Sequence, residues 1–375
     1  MTAAENRFVF VAEWYDQQAC LIRNYNLTYF LDDHTIDMYD TKNKRVFLKR
    51  TAYKGVNLED LHVGSTVTVY SRQLKIVGYA DEFTRRSFES SSEKTFAMIK
   101  PDAYLNIGKI INMIFQAGFK INKMKMSRFT EETAGIFYGE HKGKHFYQNL
   151  SDFMTSDVCV GLELVRENAI LGWRELLGPT NTQKAKEEAP ESIRAQFGTD
   201  GTRNACHGSD SPTSAERELN LFFGPSNVMP STSLQNNCTC GIIKPHVMKA
   251  GLSGDIVQMI LDEGFEISAL QIFNLDTPTA EEFLEVYKGV LPEFLSIVEE
   301  LTTGPCLVME IRQENVVEAF RKLCGPHDPE IAKVLRPNTI RAKFGIDRVA
   351  NAIQCTDLEE DGVLECEYFF NLLQK

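Results

Sequence analysis

Thr95-Phe-Ala-Met-Ile-Lys-Pro-Asp102 recurs 144 residues later as Thr239-Cys-Gly-Ile-Ile-Lys-Pro-His246, and this repetition decides the fold. Gly118-Phe-Lys-Ile121 returns as Gly264-Phe-Glu-Ile267 at an offset of 146. Leu177-Gly-Pro179 returns as Cys324-Gly-Pro326 at an offset of 147, and so does Ser192-Ile-Arg-Ala-Gln-Phe-Gly198 as Thr339-Ile-Arg-Ala-Lys-Phe-Gly345. Order and spacing are both kept. The chain therefore holds a duplicated domain of roughly 135 residues, an ordinary domain size. A solenoid would need several shorter units.

The repeats occupy 93–225 and 238–375. Ser226-Asn-Val-Met-Pro-Ser-Thr-Ser233 between them is polar and contains proline, and reads as a linker. The serine-rich Ser87–Glu93 reads as another. Residues 1–90 differ in kind. Arg7–Ala12, Leu21–Phe30, Arg45–Leu48 and Ser65–Tyr70 are β-branched and aromatic, and are separated by turn formers such as Leu31–His34 and Asp40–Asn43. They predict a small antiparallel-β docking domain.

Each repeat mixes strand and helix. Phe96–Ile99 is a short apolar strand, and Ile110, Ile111, Ile114 and Phe115 fall at helical spacing within 108–117. Gly118 suits the position just past a helix. Strands are expected at Phe119–Met126 and Val158–Val165, and a helix start at Thr130–Thr133. The class is α+β, with one sheet per repeat.

Composition narrows the function. The 375 residues carry a net charge of −12, which argues against a broad nucleic-acid surface while leaving room for a cationic pocket. No stretch approaches the apolar length a membrane span needs, and Met1–Asn6 is polar, so no membrane role is expected. Cys238 and Cys240 have the wrong spacing for a CxxC site, and the nine scattered cysteines suggest reduced thiols in a cytoplasmic compartment.

The sharpest motif is Asn204-Ala-Cys-His-Gly-Ser-Asp-Ser211, followed by Pro212. Ser211 then Pro212 reads as an N-cap and first turn, which places His207 on a loop before a helix, with Gly208 allowing a tight turn. Ser209 and Glu218 could hold the imidazole in one tautomer, as a nucleophilic histidine requires. Lys100, Arg174, Arg194 and Arg203 are cations, and Thr180 and Asn204 neutral donors, of the kinds that surround phosphate oxygens. There is no GxxxxGK[ST] or GxGxxG loop.

Ala97–Asp102, Leu176-Leu-Gly-Pro-Thr-Asn181, Ser192–Ala195 and Arg203–Ser211 resemble the nucleoside diphosphate kinase family over about 93–225. A member of that family carries the same arrangement of β module and two kinase-like repeats. The resemblance implies two tandem ferredoxin-like modules behind a PH-like β domain. It implies ping-pong transfer of the γ-phosphate of an NTP to an NDP through a phosphohistidine. By the same resemblance His207 is the nucleophile, Lys100 lies near the γ-phosphate, and Tyr138 lies beside the histidine. Ser209 and Glu218 position the ring. Phe146 stacks on the base, Arg174, Thr180 and Arg194 hold phosphates, and Asn204 meets the sugar. By the same resemblance Mg²⁺ would bridge the phosphates with little direct protein ligation, so no metal-ligating residue is expected. The resemblance also implies ciliary axonemal microtubule or centrosomal γ-tubulin-complex partners. The alternative is a scaffold with little kinase activity.

The second repeat keeps Lys244, Tyr287, Arg321, Arg341, Asn351, Thr356 and Glu365 in step with the first. Gln354 stands where His207 would, and His327 where Thr180 would. An amide cannot carry a phosphohistidine, so this repeat is expected to be inactive, and it could instead pair with the first.

Overall fold

The computed structural model describes residues 6–88, 93–226 and 228–374; residues 89–92 of the serine-rich connector lie outside them. The chain forms two compact units. One holds residues 6–88 together with Asn274–Pro305, and the other holds Glu93–Phe273 and Cys306–Lys375 up to residue 374.

The first unit is built on a six-stranded antiparallel sheet in the order β4-β3-β2-β1-β6-β5. Its strands are β1 (Arg7–Asp16), β2 (Leu21–Phe30), β3 (Thr35–Asp40), β4 (Arg45–Ala52), β5 (Thr66–Val69) and β6 (Arg72–Tyr79). The strands β3 and β6 were not foreseen. Their inward residues, Ile36 and Met38 or Leu74 and Ile76, alternate with polar ones too briefly to stand out. Phe10, Tyr25, Leu27, Ile36, Leu61 and Leu74 form its core. The helix Glu82–Phe88, also unforeseen, closes the sheet, with Thr84 Oγ1 accepting the Val9 amide at 2.8 Å. Residues 274–305 of the second repeat cluster with this unit, and Gln17 donates to Asp276 at 3.3 Å.

The second unit is organised by one eight-stranded antiparallel sheet, ordered β10-β7-β9-β8-β12-β13-β11-β14. The first four are β7 (Glu93–Ile99), β8 (Lys120–Arg128), β9 (Val158–Arg166) and β10 (Cys206–Gly208). The second four are β11 (Cys238–Ile243), β12 (Glu266–Phe273), β13 (Cys306–Arg312) and β14 (Ile353–Cys355). Each repeat thus supplies half a sheet, and the halves meet where Gln271 of β12 faces Lys125 of β8.

The helix Ile107–Gln116 shows why the pattern was legible. Ile107, Ile110, Ile111 and Ile114 are all buried, contributing on the order of 6–12 kcal/mol before ordering entropy is subtracted. Gly118 ends it at φ +78°. The same helix crosses its counterpart Ser253–Asp262 so closely that only glycine fits. A Cβ on Gly108 would lie 2.4 Å from the Gly254 carbonyl oxygen, and one on Gly254 would lie 2.5 Å from that of Gly108. Tyr104 Oη donates to the Ile267 carbonyl at 3.0 Å and accepts its amide at 2.7 Å, and Asn112 donates to Asp255 at 2.7 Å. The two repeats therefore pair within the chain.

The described residues of the segment joining them form no regular secondary structure, as its composition suggests, yet they are not a solvated tether. Met229 is fully buried against the first repeat's aromatic cluster. Lys125 and Ser127 of β8 donate to the carbonyls of Met229 and Pro230 at 2.8 and 2.7 Å. Ser233 Oγ, Leu234 N and Gln235 N then converge on Glu310 of β13.

Candidate active site

His207 sits at the centre of β10, a three-residue edge strand, not on a loop: it pairs with Met98 of β7. Three residues are too few for the alternation that betrays a strand. The strand is entered through Ala205, at φ +66°, a left-handed conformation costly for any residue with a side chain. Asp102 Oδ2 holds that turn by accepting the Ala205 amide at 2.9 Å. Gly208 is not in a left-handed turn. It is glycine because the Trp173 ring packs on it, and a Cβ there would meet Trp173 Cδ1 at 2.4 Å. Trp173 Nε1 also donates to the His207 carbonyl at 3.1 Å.

The imidazole is oriented as the sequence suggests. Its Nε2 lies 2.9 Å from Glu218 Oε2, and Ser209 Oγ donates to the same oxygen at 2.7 Å. Glu218 is buried, on the helix Pro212–Phe223, whose N-cap Ser211 accepts from the Ser214 amide. A carboxylate at Nε2 keeps the proton there and leaves the Nδ1 lone pair available. Phe137, Phe96 and Tyr138 box the ring at centroid distances of 5.1, 6.1 and 6.4 Å.

His207 opens into a cavity of about 640 Å³. Lys100, Tyr138, Phe146, Arg174, Thr180, Arg194, Asn204 and Glu218 all line it, so nearly the whole sequence-derived set is gathered in one place. Ser209 stands behind the wall, acting through Glu218. Lys100 follows β7 directly and donates to Asn204 Oδ1 at 2.8 Å and the Thr202 carbonyl at 3.1 Å. Arg194 bonds the Gly178 and Cys206 carbonyls at 2.8 and 3.2 Å and reaches Thr180 Oγ1 at 3.4 Å. Arg174 is exposed at the rim. Arg203 lies outside, over the Phe153 ring and paired with Asp200. Asn204 spends its amide protons on the Thr180 and Gly201 carbonyls, so it also braces the wall it lines.

Burial sets the electrostatics. It lowers the Lys100 pKa to about 8, with neighbouring Asp102 pulling it back up. It lowers that of Arg194 and raises that of Tyr138 well above a free phenol. Cations held desolvated in this way are tuned to receive an anion. The carboxylates that line the cavity are already engaged: Glu218 with His207, Glu140 with Arg217, and Asp210 with Ser211 and Ser214. Among the described residues no three metal-donor side chains converge here. The sequence reading passed over Asp102, Phe137 and Trp173, whose signal was weak because each acts through packing or backbone.

The second repeat keeps part of this scaffold and loses part: among the described residues Asn351 Oδ1 is unpartnered where Asn204 Oδ1 accepts from Lys100, and Phe320 stands where Trp173 donates to the His207 carbonyl. Thr356 donates to Glu365 at 2.6 Å as Ser209 does to Glu218. Lys244 donates to the Val349 carbonyl, Asn351 to that of His327, and Ala352 repeats the left-handed turn at φ +75°. Burial raises Glu365 to about 7. Gln354 occupies the His207 position on β14. One alignment is corrected. Tyr138 ends the helix Glu131–Phe137, and Leu284 ends the matching helix Thr277–Phe283, so Tyr287 answers to His141 instead. Pairing Tyr287 with Tyr138 would need an offset of 149, whereas the helix ends give 146. Phe146, which precedes the helix Tyr147–Ser156, answers to Glu293 before Phe294–Thr302.

Comparison with known proteins gives the family. The nucleoside diphosphate kinase family matches residues 93–228 and 237–374, and the nucleoside diphosphate kinase 7 N-terminal PH domain matches residues 2–90. The chain is 50% identical over 373 residues to nucleoside diphosphate kinase homolog 7 of Rattus norvegicus, spanning 98% of this chain and 93% of that protein. The Mus musculus homolog 7 is 49% identical over the same length. A nucleoside diphosphate kinase of Aquifex aeolicus is 47% identical over 133 residues, 35% of this chain and 94% of that one. A crystal structure of the Aquifex aeolicus enzyme aligns at 45% identity and a TM-score of 0.36, covering 36% of this chain and 99% of that one. The chain belongs to the nucleoside diphosphate kinase family, with two family modules behind an N-terminal PH-like domain.

Proposed function

We propose that the first module transfers the γ-phosphoryl group of an NTP to an NDP through a phosphohistidine at His207. The observation that carries this reading is the Ser209–Glu218–His207 relay, opening into a cavity walled by Lys100, Arg174 and Arg194. His207 Nδ1 attacks the γ-phosphorus, and the bond to the β–γ bridging oxygen breaks. The ring gains positive charge, which Glu218 offsets through Nε2–H. Lys100 and the two arginines hold the phosphoryl oxygens, Thr180 and Asn204 orient the rest, and Phe146 offers a face to the base. Tyr138 walls off solvent beside the ring. Mg²⁺ bound with the nucleotide supplies further neutralisation of phosphate charge. Departure of the NDP leaves phospho-His207, and an incoming NDP reverses the steps.

The second module does not turn over in this reading, since Gln354, Leu284 and Glu293 replace the nucleophile, the tyrosine and the base-stacking ring. That loss favours a second, compatible role in which this module and the PH-like domain serve docking, with axonemal microtubules or a γ-tubulin complex as partners. Co-sedimentation of the His207→Gln protein with microtubules tests it, and loss of binding in both forms sinks it.

The kinase reading is tested by incubating the purified chain with γ-labelled ATP and no acceptor. Acid-labile, base-stable label is expected on the wild type, absent from His207→Gln, and chased off by any NDP. A folded wild type that binds nucleotide yet takes no label would overturn the proposal.

A further inference from the structure

The two modules carry the same buried glutamate on their third-in-sequence strands, and its surroundings differ. In the first module Glu163 is neutralised by Lys94 at 2.9 Å and Lys123 at 3.2 Å, with Asn122 at 3.3 Å. In the second module its counterpart Glu310 has no exposed surface. Register aligns Cys238 with Lys94, Ala269 with Lys123 and Ser268 with Asn122. Both lysines are therefore gone, and among the described residues no Lys or Arg pairs with Glu310. Its partners are the neutral donors Ser268 Oγ, Ser233 Oγ, Leu234 N and Gln235 N, at 2.5–3.1 Å. An anion buried without a countercharge is costly even when hydrogen-bonded.

Thiols stand where the ammonium stood. Cys238, Cys366 and Glu310 present ligand atoms within 4.8 Å of one another, all buried. Cys240, two residues along β11 and so on the same face, brings a third buried thiol, directly opposite Glu310 in the strand register. The helix Asp361–Phe370 that carries Cys366 lies directly on this strand; a Cβ at Gly362 would meet the Cys238 carbonyl at 2.2 Å.

We propose that Cys238, Cys240, Cys366 and Glu310 form a site for a thiophilic divalent cation of the Zn²⁺ type. Binding releases the thiol protons, and the ion holds the resulting thiolates and the Glu310 carboxylate together. Three sulfurs and one carboxylate oxygen are a tetrahedral zinc donor set, and three of these donors, on Cys238, Cys366 and Glu310, already lie within 4.8 Å of one another, against roughly 3.5–3.8 Å in a tetrahedral site. The site is structural: it ties the strap Ser233–Gln235, the strand β11 and the C-terminal helix together.

Co²⁺ is the probe. Titrated into the reduced full-length chain, it is expected to give a sulfur-to-cobalt charge-transfer band at one equivalent, displaced by Zn²⁺. The band should vanish in Cys366→Ser and Cys238→Ser, weaken at least tenfold in apparent affinity in Glu310→Gln, and persist in Cys20→Ser and Cys324→Ser. Thermal unfolding of each variant without metal establishes that it folds. Absence of the band in the wild type, or its survival in Cys366→Ser, overturns the proposal.

Discussion

Replacing Glu218 with glutamine removes one charge from behind the nucleophile, and with it a long ion pair from Arg217 at 3.8 Å. The side chain is buried, nearly isosteric, and can still accept from both Nε2–H and Ser209 Oγ. What disappears is the charge that faces His207 at 2.9 Å as the ring turns cationic. A hydrogen bond to a charged group contributes roughly 1.5–3 kcal/mol and a neutral one 0.5–1.5. Losing that difference, plus part of the ion attraction in a partly desolvated site, raises the barrier by about 2–3 kcal/mol. The expected effect is a roughly 30- to 160-fold slower phosphorylation step. Rapid-quench labelling with γ-labelled ATP under single-turnover conditions measures it, with binding of a non-hydrolysable analogue expected to stay near wild type. A Glu218→Gln protein that labels within threefold of the wild-type rate would refute the reasoning. The carboxylate would then be a packing element.

Four further outcomes are expected. Ser209→Ala loses one neutral-to-charged bond to Glu218, and its labelling rate should fall about fivefold, corresponding to about 1 kcal/mol. Gln354→His alone should take no phosphate in a His207→Gln background, because Leu284 and Glu293 still replace the tyrosine and the stacking ring; stable labelling there would show that these positions are dispensable. Lys100 titrates at about 8 in the fold against an ordinary 10.5, so the folded protein gives up this proton first. This group's contribution to stability therefore rises with pH between those values, while triphosphate affinity should fall above about pH 8, and a flat affinity profile from pH 7 to 9.5 would contradict it. Gly108→Ala forces a methyl against backbone at the helix crossing and should cost roughly 1–3 kcal/mol, read as a lower unfolding temperature.

Much of this protein is written in local sequence. The duplication is visible because insertions are few, the isoleucine spacing of 107–114 marks a helix, and Thr130 and Ser211 announce helix starts by capping chemistry. The cations and neutral donors were legible as a set because phosphate oxygens call for such side chains, and Phe146 only through the family resemblance; Lys100, Phe146, Arg174, Thr180, Arg194 and Asn204 line the cavity around His207. The sequence also settles what the second module lacks at Gln354. Tertiary structure decided what depends on contacts distant in the chain. His207 lies on a strand only because β7 pairs with it, and Gly208 is glycine only because Trp173 covers it. Tyr287 aligned with Tyr138 until the helix ends showed Leu284 in that place. The polar segment after residue 226 is pinned because Met229 finds an aromatic pocket and Glu310 needs donors. A side chain's chemistry is set by its residue type and can be read along the chain, but its partner is set by the fold, and burial then decides its charge.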